Sequence, residues 1–320
     1  MTEPGPSSFT TAILAADAAG IARAAEWIAA GQPVAVPTET VYGLAADALS
    51  GEAVARIYAA KGRPAFNPLI VHVPDLAAAE AIARFDPAAR RLAASFWPGP
   101  LTLVLPMRES SVIAGLVTAG LSTIALRVPS HPAMRALLAA TGRPLAAPSA
   151  NASGSISATR AEHVTRTLGG HIPLILDGGP TAHGLESTIV AVESGRLRLL
   201  RPGPIDPAAL ADTAGLPIAT NAAHGIEAPG QLASHYAPSK PLRLNASERS
   251  PGEWLIGFGA VAGDANLSPA ADRVEAAARL FDLLHQADAS GCNSIAVAPI
   301  PAGGLGDAIN DRLKRAGAPR

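Results

Sequence analysis

The chain has 320 residues, 48% of them apolar and 16% charged, with a net charge of −1. Such a length holds a large core and predicts two domains, and such a composition excludes a disordered chain. The near-neutral balance also argues against an extended nucleic-acid surface, which needs cations to neutralise phosphates.

In chain order, residues 1–10 read as a loose tail, without the basic stretch and apolar run of a signal peptide. A helix follows from Asp17, where Ile21, Ala24, Ala25 and Ile28 recur at helical spacing and Gly31 supplies a stop. Residues 33–37 and 68–73 are short apolar runs bounded by proline, which predicts strands buried on both faces. They bracket a polar loop (38–44), a helix-like segment through Val54, Ile57 and Tyr58, and the stretch 61–67. Asp75 and Asp86-Pro87 each open a helix. Trp97-Pro98-Gly99-Pro100 turns into a strand over 101–105; a second strand, 122–128, stops at Pro129 before a helix over 132–140. The uncharged stretch 110–126 is too short and too glycine-broken to span a bilayer, so a cytoplasmic protein is expected.

A short strand at 145–147 opens into a serine-rich loop, after which Thr159 and Glu162 predict a capping box. A strand over 173–176 is followed by a hairpin, 187–192 and 196–200, turning at Glu193-Ser194-Gly195 and closing at Arg201-Pro202-Gly203. Residues 211–241 have no sustained period and predict a linker. Beyond it come a strand (254–258), a helix begun by Ser268-Pro269 and running to about 289, a strand (294–299) and a helix (305–315), a small α/β unit. Cys292, the only cysteine, cannot form an internal disulfide, and its apolar neighbours predict a buried small hydrophobe. Gly303-Gly304-Leu305-Gly306 reads as a turn in preference to an anion-binding loop. The expected boundaries are 11–210, 211–241 and 242–320.

Polar groups emerge beside the predicted strand ends, where open α/β sheets bind ligands. Thr40 and Tyr42 lie in a glycine-flanked loop, where their hydroxyls could bind a small polar ligand or serve as turn chemistry with a core tyrosine. Lys61 and Arg63 can face one anion or form a solvated helix end, and Pro64 favours a rigid loop. Asn67 and His72 follow, the latter within an apolar strand where a satisfied core histidine would look the same. Thr123 and Arg127 share one strand face. An arginine there needs an anion, either a bound carboxylate or a structural partner such as Glu39 or Glu186. Ser149, Asn151, Ser153 and Ser157 offer hydroxyls and amides that could cradle phosphate or merely connect elements. Ser187, Thr188 and Arg201 on the hairpin could complete a wall. Phosphate-binding Gly-x-x-x-x-Gly-Lys-Ser/Thr, dinucleotide Gly-x-Gly-x-x-Gly, Gly-x-Ser-x-Gly and His-Glu-x-x-His signatures are all missing from the sequence. Cations, hydroxyls and amides without an evident nucleophile suit positioning and charge stabilisation of a phosphoanhydride.

The ordered series Pro37-Thr38-Glu39-Thr40-Val41-Tyr42-Gly43-Leu44, Lys61-Gly62-Arg63-Pro64, Asn67-Pro68-Leu69, Pro98-Gly99-Pro100-Leu101-Thr102, Arg127-Val128-Pro129, Pro148-Ser149-Ala150-Asn151, Glu186-Ser187-Thr188-Ile189-Val190 and Arg201-Pro202-Gly203 resembles the threonylcarbamoyl-AMP synthase family. Pro229-Gly230 and His235-Tyr236-Ala237-Pro238 are similar to the linker of its two-domain form. The resemblance implies an α/β fold, with a YrdC-type twisted mixed-sheet catalytic domain and a smaller Rossmann-like α/β C-terminal domain. It implies synthesis of L-threonylcarbamoyl-AMP from L-threonine, bicarbonate and ATP with Mg²⁺, releasing pyrophosphate. The product would pass to the machinery that modifies the tRNA adenosine beside the anticodon, with at most weak tRNA contact and no membrane.

Carried over by residue, the resemblance gives Thr40, His72, Arg127, Ala147 and Ser187 to L-threonine. It gives Arg63, Asn67, Thr123, Ser149, Ser157, Arg201 and Tyr236 to ATP, and makes Lys61 and Arg63 catalytic, with no protein-held metal. It also suggests that the linker folds over the bound intermediate. Gln231-Leu232-Ala233-Ser234 stands where many members carry basic residues, so phosphate contact from that segment is not expected. Two other functions compete. An RNA-binding module would need cations interleaved with stacking rings, and aromatics are only 4%. A dihydroxybutanone phosphate synthase-like enzyme would need an acidic metal cluster, and the main loop region offers only Glu39 and Asp47.

Overall fold

The computed structural model describes residues 9–193, 195–219 and 225–319. The larger unit is built on an eleven-stranded mixed sheet. Its order is Ala12–Ala15, Leu174–Asp177, Val34–Val36, Gly43–Asp47, Leu145–Ala146, Ile70–His72, Thr123–Arg127, Leu101–Pro106, Thr188–Glu193, Arg196–Arg201 and Ile218–Ala219. The central strands are short and buried on both faces, as their unbroken apolar runs predict. Ile70–His72 runs parallel to Thr123–Arg127 and antiparallel to Leu145–Ala146. The register sets His72 opposite both Arg127 and Leu145. A titratable ring and a guanidinium thus end neighbouring strands, side by side.

Helices cover the sheet, and their starts follow the sequence closely. Asp17, Asp75 and Asp86 cap the helices Ala18–Ala29, Leu76–Ile82 and Pro87–Phe96, each carboxylate accepting from an amide in the first turn. Each such cap is worth about 1 kcal/mol. The smaller unit is a parallel four-stranded sheet ordered Leu242–Arg243, Ser294–Val297, Glu253–Gly257, Ala265–Asn266, with helices Arg273–Ala289 and Leu305–Ala316. Its core is not private. Leu280, Phe281, Leu284 and Ile309 pack in one cluster with Ile156 and Leu185 of the first unit and Tyr236 of the linker.

Several elements depart from expectation. Gly43–Asp47, expected as loop running into helix, is a strand that pairs back on Val34–Val36 and forward on Leu145–Ala146. Ala12–Ala15 forms an unforeseen edge strand. The Thr159–Glu162 capping box is not made, because His163 Nδ1 takes the Thr159 amide and faces its hydroxyl, and the helix Ala161–Leu168 starts from Arg160. The helix expected from Ser268-Pro269 begins at Arg273, since Ala271 is left-handed (φ 58°) and Asp272 supplies the cap. Residue 211, the expected linker start, lies inside the helix Pro207–Ala214, and Ile218–Ala219 still belongs to the first sheet. Cys292 is half-buried rather than buried, beyond the end of the helix Arg273–Ala289 and before the strand Ser294–Val297. Gly303 and Gly304 both take positive φ in a turn that opens the last helix. Most of the expected tail, Ser194 of the hairpin turn, and 220–224 of the linker lie outside the described residues.

Candidate active site

One pocket gathers Thr38, Thr40, Arg63, Ile70, His72 and Arg127 with Ala147, Ser149, Glu186, Ser187, Arg201 and, from the linker, Pro229, Gly230, His235 and Tyr236. On one side the strand Val34–Val36 ends in Pro37 and the chain turns through Thr38, whose hydroxyl donates to Val41 O at 2.6 Å. That turn delivers Glu39 and Thr40 to Arg127. The guanidinium donates to Glu39 Oε1 (2.6 Å), Thr40 Oγ1 (3.0 Å) and Gly99 O (3.2 Å). Burial pushes the Glu39 carboxyl up, but the Arg127 charge and hydrogen bond outweigh it and hold it at about 2. The pair is therefore ionic. Arg127 has five N–H donors and three are used, so two remain. The structural ion pair and a free donor face coexist in one residue.

Beside Arg127, His72 is 2% exposed, and neither ring nitrogen meets a partner in good hydrogen-bond geometry, with only weak backbone contacts to Ile70 and Leu145. Burial, then the Arg127 charge, push its pKa down to about 3, so the ring is neutral at physiological pH.

The other side is cationic. Lys61 ends the helix Gly51–Lys61, and the left-handed Gly62 turns the chain so that Arg63 follows. Lys61 Nζ donates to the carbonyls of Ser149 (2.5 Å) and Asn151, pinning the serine-rich loop. Arg63 donates to the carbonyls of Asn67 (3.2 Å) and Pro68 (2.8 Å). Arg201 donates to Ser187 O and Oγ, both at 3.0 Å, and to Pro229 O. Among the described residues none of the three has a carboxylate within ion-pair distance. Burial lowers all three pKa values, and with the Arg201 charge pushing the same way Arg63 falls to about 10. Glu186 offsets part of the Arg201 burial, but buried cations crowded without a direct ion pair define a place for an anion.

Unsatisfied atoms point the same way. Among the described residues, the buried side-chain atoms without a partner are both polar atoms of Asn67, both nitrogens of His72, Asn151 Oδ1, His235 Nδ1, Tyr236 Oη and Thr181 Oγ1. His72, His235 and Tyr236 line the pocket; Asn67 and Asn151 brace Arg63 and Lys61 through their carbonyls. Native structures rarely leave such groups orphaned without a functional reason. Ser157 sits behind the wall, its hydroxyl donating to Glu186. Lys61 and Asn67 are also outside the lining, and Thr123 is remote from it: it lies at the far end of its strand from Arg127 and lines a separate cavity with Phe85, Val104, Arg198 and Glu227. Thr38, Gly230 and His235 also line the pocket, although the sequence marks them only as parts of motifs, and Glu39 and Glu186 are legible there only as counter-ions and motif members.

The mixed sheet, the polar strand ends and the appended parallel sheet define a YrdC-type α/β protein with a C-terminal Rossmann-like unit. Residues 26–203 match the family described as telomere recombination, and residues 199–318 match the threonylcarbamoyl-AMP synthase C-terminal domain. The chain belongs to the threonylcarbamoyl-AMP synthase family, in its two-domain form. It is 39% identical to the threonylcarbamoyl-AMP synthase of Bacillus subtilis over 94% of this chain and 93% of the other. It is 40% identical to that of Pyrococcus abyssi over 92% of each. The solved structure of Pyrococcus abyssi Sua5 complexed with L-threonine superposes with a TM-score of 0.84 at 38% identity, covering 93% of this chain and 94% of that one. A double-alanine variant of the same protein gives 0.87 at 35% identity over 96% of each. Among the described residues no helix is long and apolar enough to cross a membrane.

Proposed function

We propose that the pocket makes L-threonylcarbamoyl-AMP from L-threonine, bicarbonate and ATP, acting as a nucleotidyltransferase. The observation that carries this reading is the asymmetry of charge: an ion-paired arginine with spare donors on one side, and on the other Arg63 and Arg201, buried and outside any direct ion pair, with Lys61 behind the lining. The single carboxylate of an amino acid suits the first side and a polyphosphate the second. The two remaining N–H groups of Arg127 take the threonine carboxylate, while Thr40, the neutral His72 ring, Ser187 and the Ala147 backbone surround the rest. Neutral imidazole is useful here, since it accepts or donates a hydrogen bond without adding charge beside Arg127.

Bicarbonate takes up a proton and dehydrates to CO₂ and water. The deprotonated threonine amine captures the CO₂ as a carbamate and releases a proton to solvent, and a carbamate oxygen attacks the α-phosphorus as the bond to pyrophosphate breaks. Arg63, Arg201 and the third proton of the Lys61 ammonium stabilise the charge on the phosphates. Ser149, Asn67 and Tyr236 hold the nucleotide, and Ser157 steadies the wall through Glu186. Thr123 would meet the nucleotide only through its neighbouring cavity. Glu39 and Glu186 are each occupied by an arginine, and among the described residues no cluster of three or more metal-ligating side chains occurs. Those donors do not fit a resident metal, and Mg²⁺ would arrive on the ATP phosphates.

The linker residues at the pocket exclude water from labile intermediates. The product then serves tRNA threonylcarbamoylation in the cytoplasm, handed to the transferring machinery. Pyrophosphate release with substrates omitted one at a time tests the reading: it should require ATP, L-threonine and bicarbonate together. Release without threonine would refute it.

A further inference from the structure

Arg312 lies on the last helix, Leu305–Ala316, in the smaller unit, and its side chain is 0% exposed. Two of its three hydrogen bonds reach out of that unit. Nε donates to Glu186 Oε2 at 2.8 Å, Nη2 to Pro202 O at 2.9 Å, and Nη1 to Asp311 Oδ2 at 2.8 Å. Its guanidinium carbon also sits 5.2 Å from the centre of the Tyr236 ring, the range of a cation–π contact. Each outward contact falls on the nucleotide side of the pocket. Glu186 lines the pocket and receives the Ser157 hydroxyl on its other oxygen. Pro202 follows Arg201. Tyr236 presents an unpartnered hydroxyl to the pocket.

The same helix fastens the linker. Arg315 donates to Leu232 O at 2.6 Å, Asp311 holds Arg315 at 3.0 Å, and the Arg315 carbonyl accepts from the His235 amide at 3.2 Å. The helix therefore grips the segment that carries His235 and Tyr236 while Arg312 braces the wall that this segment faces.

We propose that Arg312 is a positioning residue for the nucleotide side of the pocket, and that the C-terminal unit serves the reaction by setting Glu186, Arg201 and Tyr236 in mutual register. The inference rests on the assignment of that side to ATP. A lysine could keep the charge opposite Glu186, but a single ammonium on a flexible stem cannot reproduce the planar fork and stacking surface.

The test is calorimetric titration of full-length wild type and Arg312→Lys with ATP and, separately, with L-threonine, alongside thermal unfolding and wild-type pyrophosphate release. The expected result is a folded variant whose ATP affinity falls at least about tenfold (one decade in Kd) while L-threonine affinity changes less than about twofold. Unchanged ATP affinity, or equal loss for both ligands, overturns the inference, because general loosening would not distinguish them. Should Arg312→Lys fail to fold, Arg312→Met with Glu186→Gln, which removes both charges of that pair while Asp311 keeps Arg315, is put to the same titrations with the same deciding results. Wild type that binds ATP but releases no pyrophosphate with all substrates would refute the reaction and leave the titrations to decide the role of Arg312. Wild type that binds no ATP overturns both.

Discussion

Acidification is a sharp perturbation of this molecule, because burial holds His72, His235 and His285 at about 3 in the folded state, against an ordinary value of 6.5. A nearby arginine, or His163 in the case of His285, pushes the same way. Between those limits each ring is protonated in the unfolded chain and neutral in the folded one. The unfolded state binds more protons, so the stability these groups contribute is complete above about pH 6.5 and is lost as the pH falls toward 3. Each costs about 1.4 kcal/mol per pH unit. At about pH 5 the three together subtract roughly 6 kcal/mol, a large share of the ~5–15 kcal/mol that holds a typical protein folded. Glu39 adds in the same direction below its ordinary value of 4.5, its contribution lost as the pH approaches 2. Urea unfolding at several pH values between 7.5 and 5 checks this, with His285→Gln as control. His285 Nε2 donates to Ser157 O at 3.1 Å, a hydrogen bond that a glutamine amide can keep, and its ring also stacks on His163. That variant should flatten the slope by about a third. A midpoint independent of pH over this range, or a slope that His285→Gln leaves unchanged, would refute the reasoning.

Arg127→Met strands the Glu39 carboxylate in a buried site and should cost about 3–5 kcal/mol in urea unfolding, whereas Arg127→Met with Glu39→Gln recovers most of that loss but not L-threonine binding. Tyr236→Phe removes a buried hydroxyl without a partner and keeps the ring on Phe281, so stability should stay within about 1 kcal/mol while ATP affinity and product lifetime fall. A large drop in Tm with unchanged ATP binding would contradict that assignment. Gly203→Ala places a methyl carbon 2.5 Å from the Thr188 amide nitrogen and 2.8 Å from Glu186 O, and should lower stability by about 2 kcal/mol or more, read as a shift in urea midpoint.

The parts of the fold legible in the sequence are those that local chemistry decides. Asp17, Asp75 and Asp86 declare their helices, and the apolar runs at 68–73 and 122–128 mark strands that indeed end at His72 and Arg127. Gly43–Asp47 was hidden because Gly-Leu-Ala-Ala-Asp carries no β-branched or aromatic residue; pairing on both sides makes it a strand. The edge strand Ala12–Ala15 is exposed at every residue and held by a single neighbour, leaving no burial pattern to read. At the site, types and spacing found the cations and hydroxyls, but their partners lie far away in sequence. Glu39 and Arg127 are 88 residues apart, and Glu186 and Arg312 are 126 apart. Thr123 shows the limit of face arguments: it shares Arg127's strand face yet lies four residues along it, in another cavity.

The most direct test of the central claim supplies ¹³C-bicarbonate with ATP, Mg²⁺ and L-threonine and reads products by mass. The account predicts one labelled carbon in threonylcarbamoyl-AMP for each pyrophosphate released, with both lost when threonine is withheld. Folded protein that yields no labelled adenylate, or releases pyrophosphate without threonine, would contradict it.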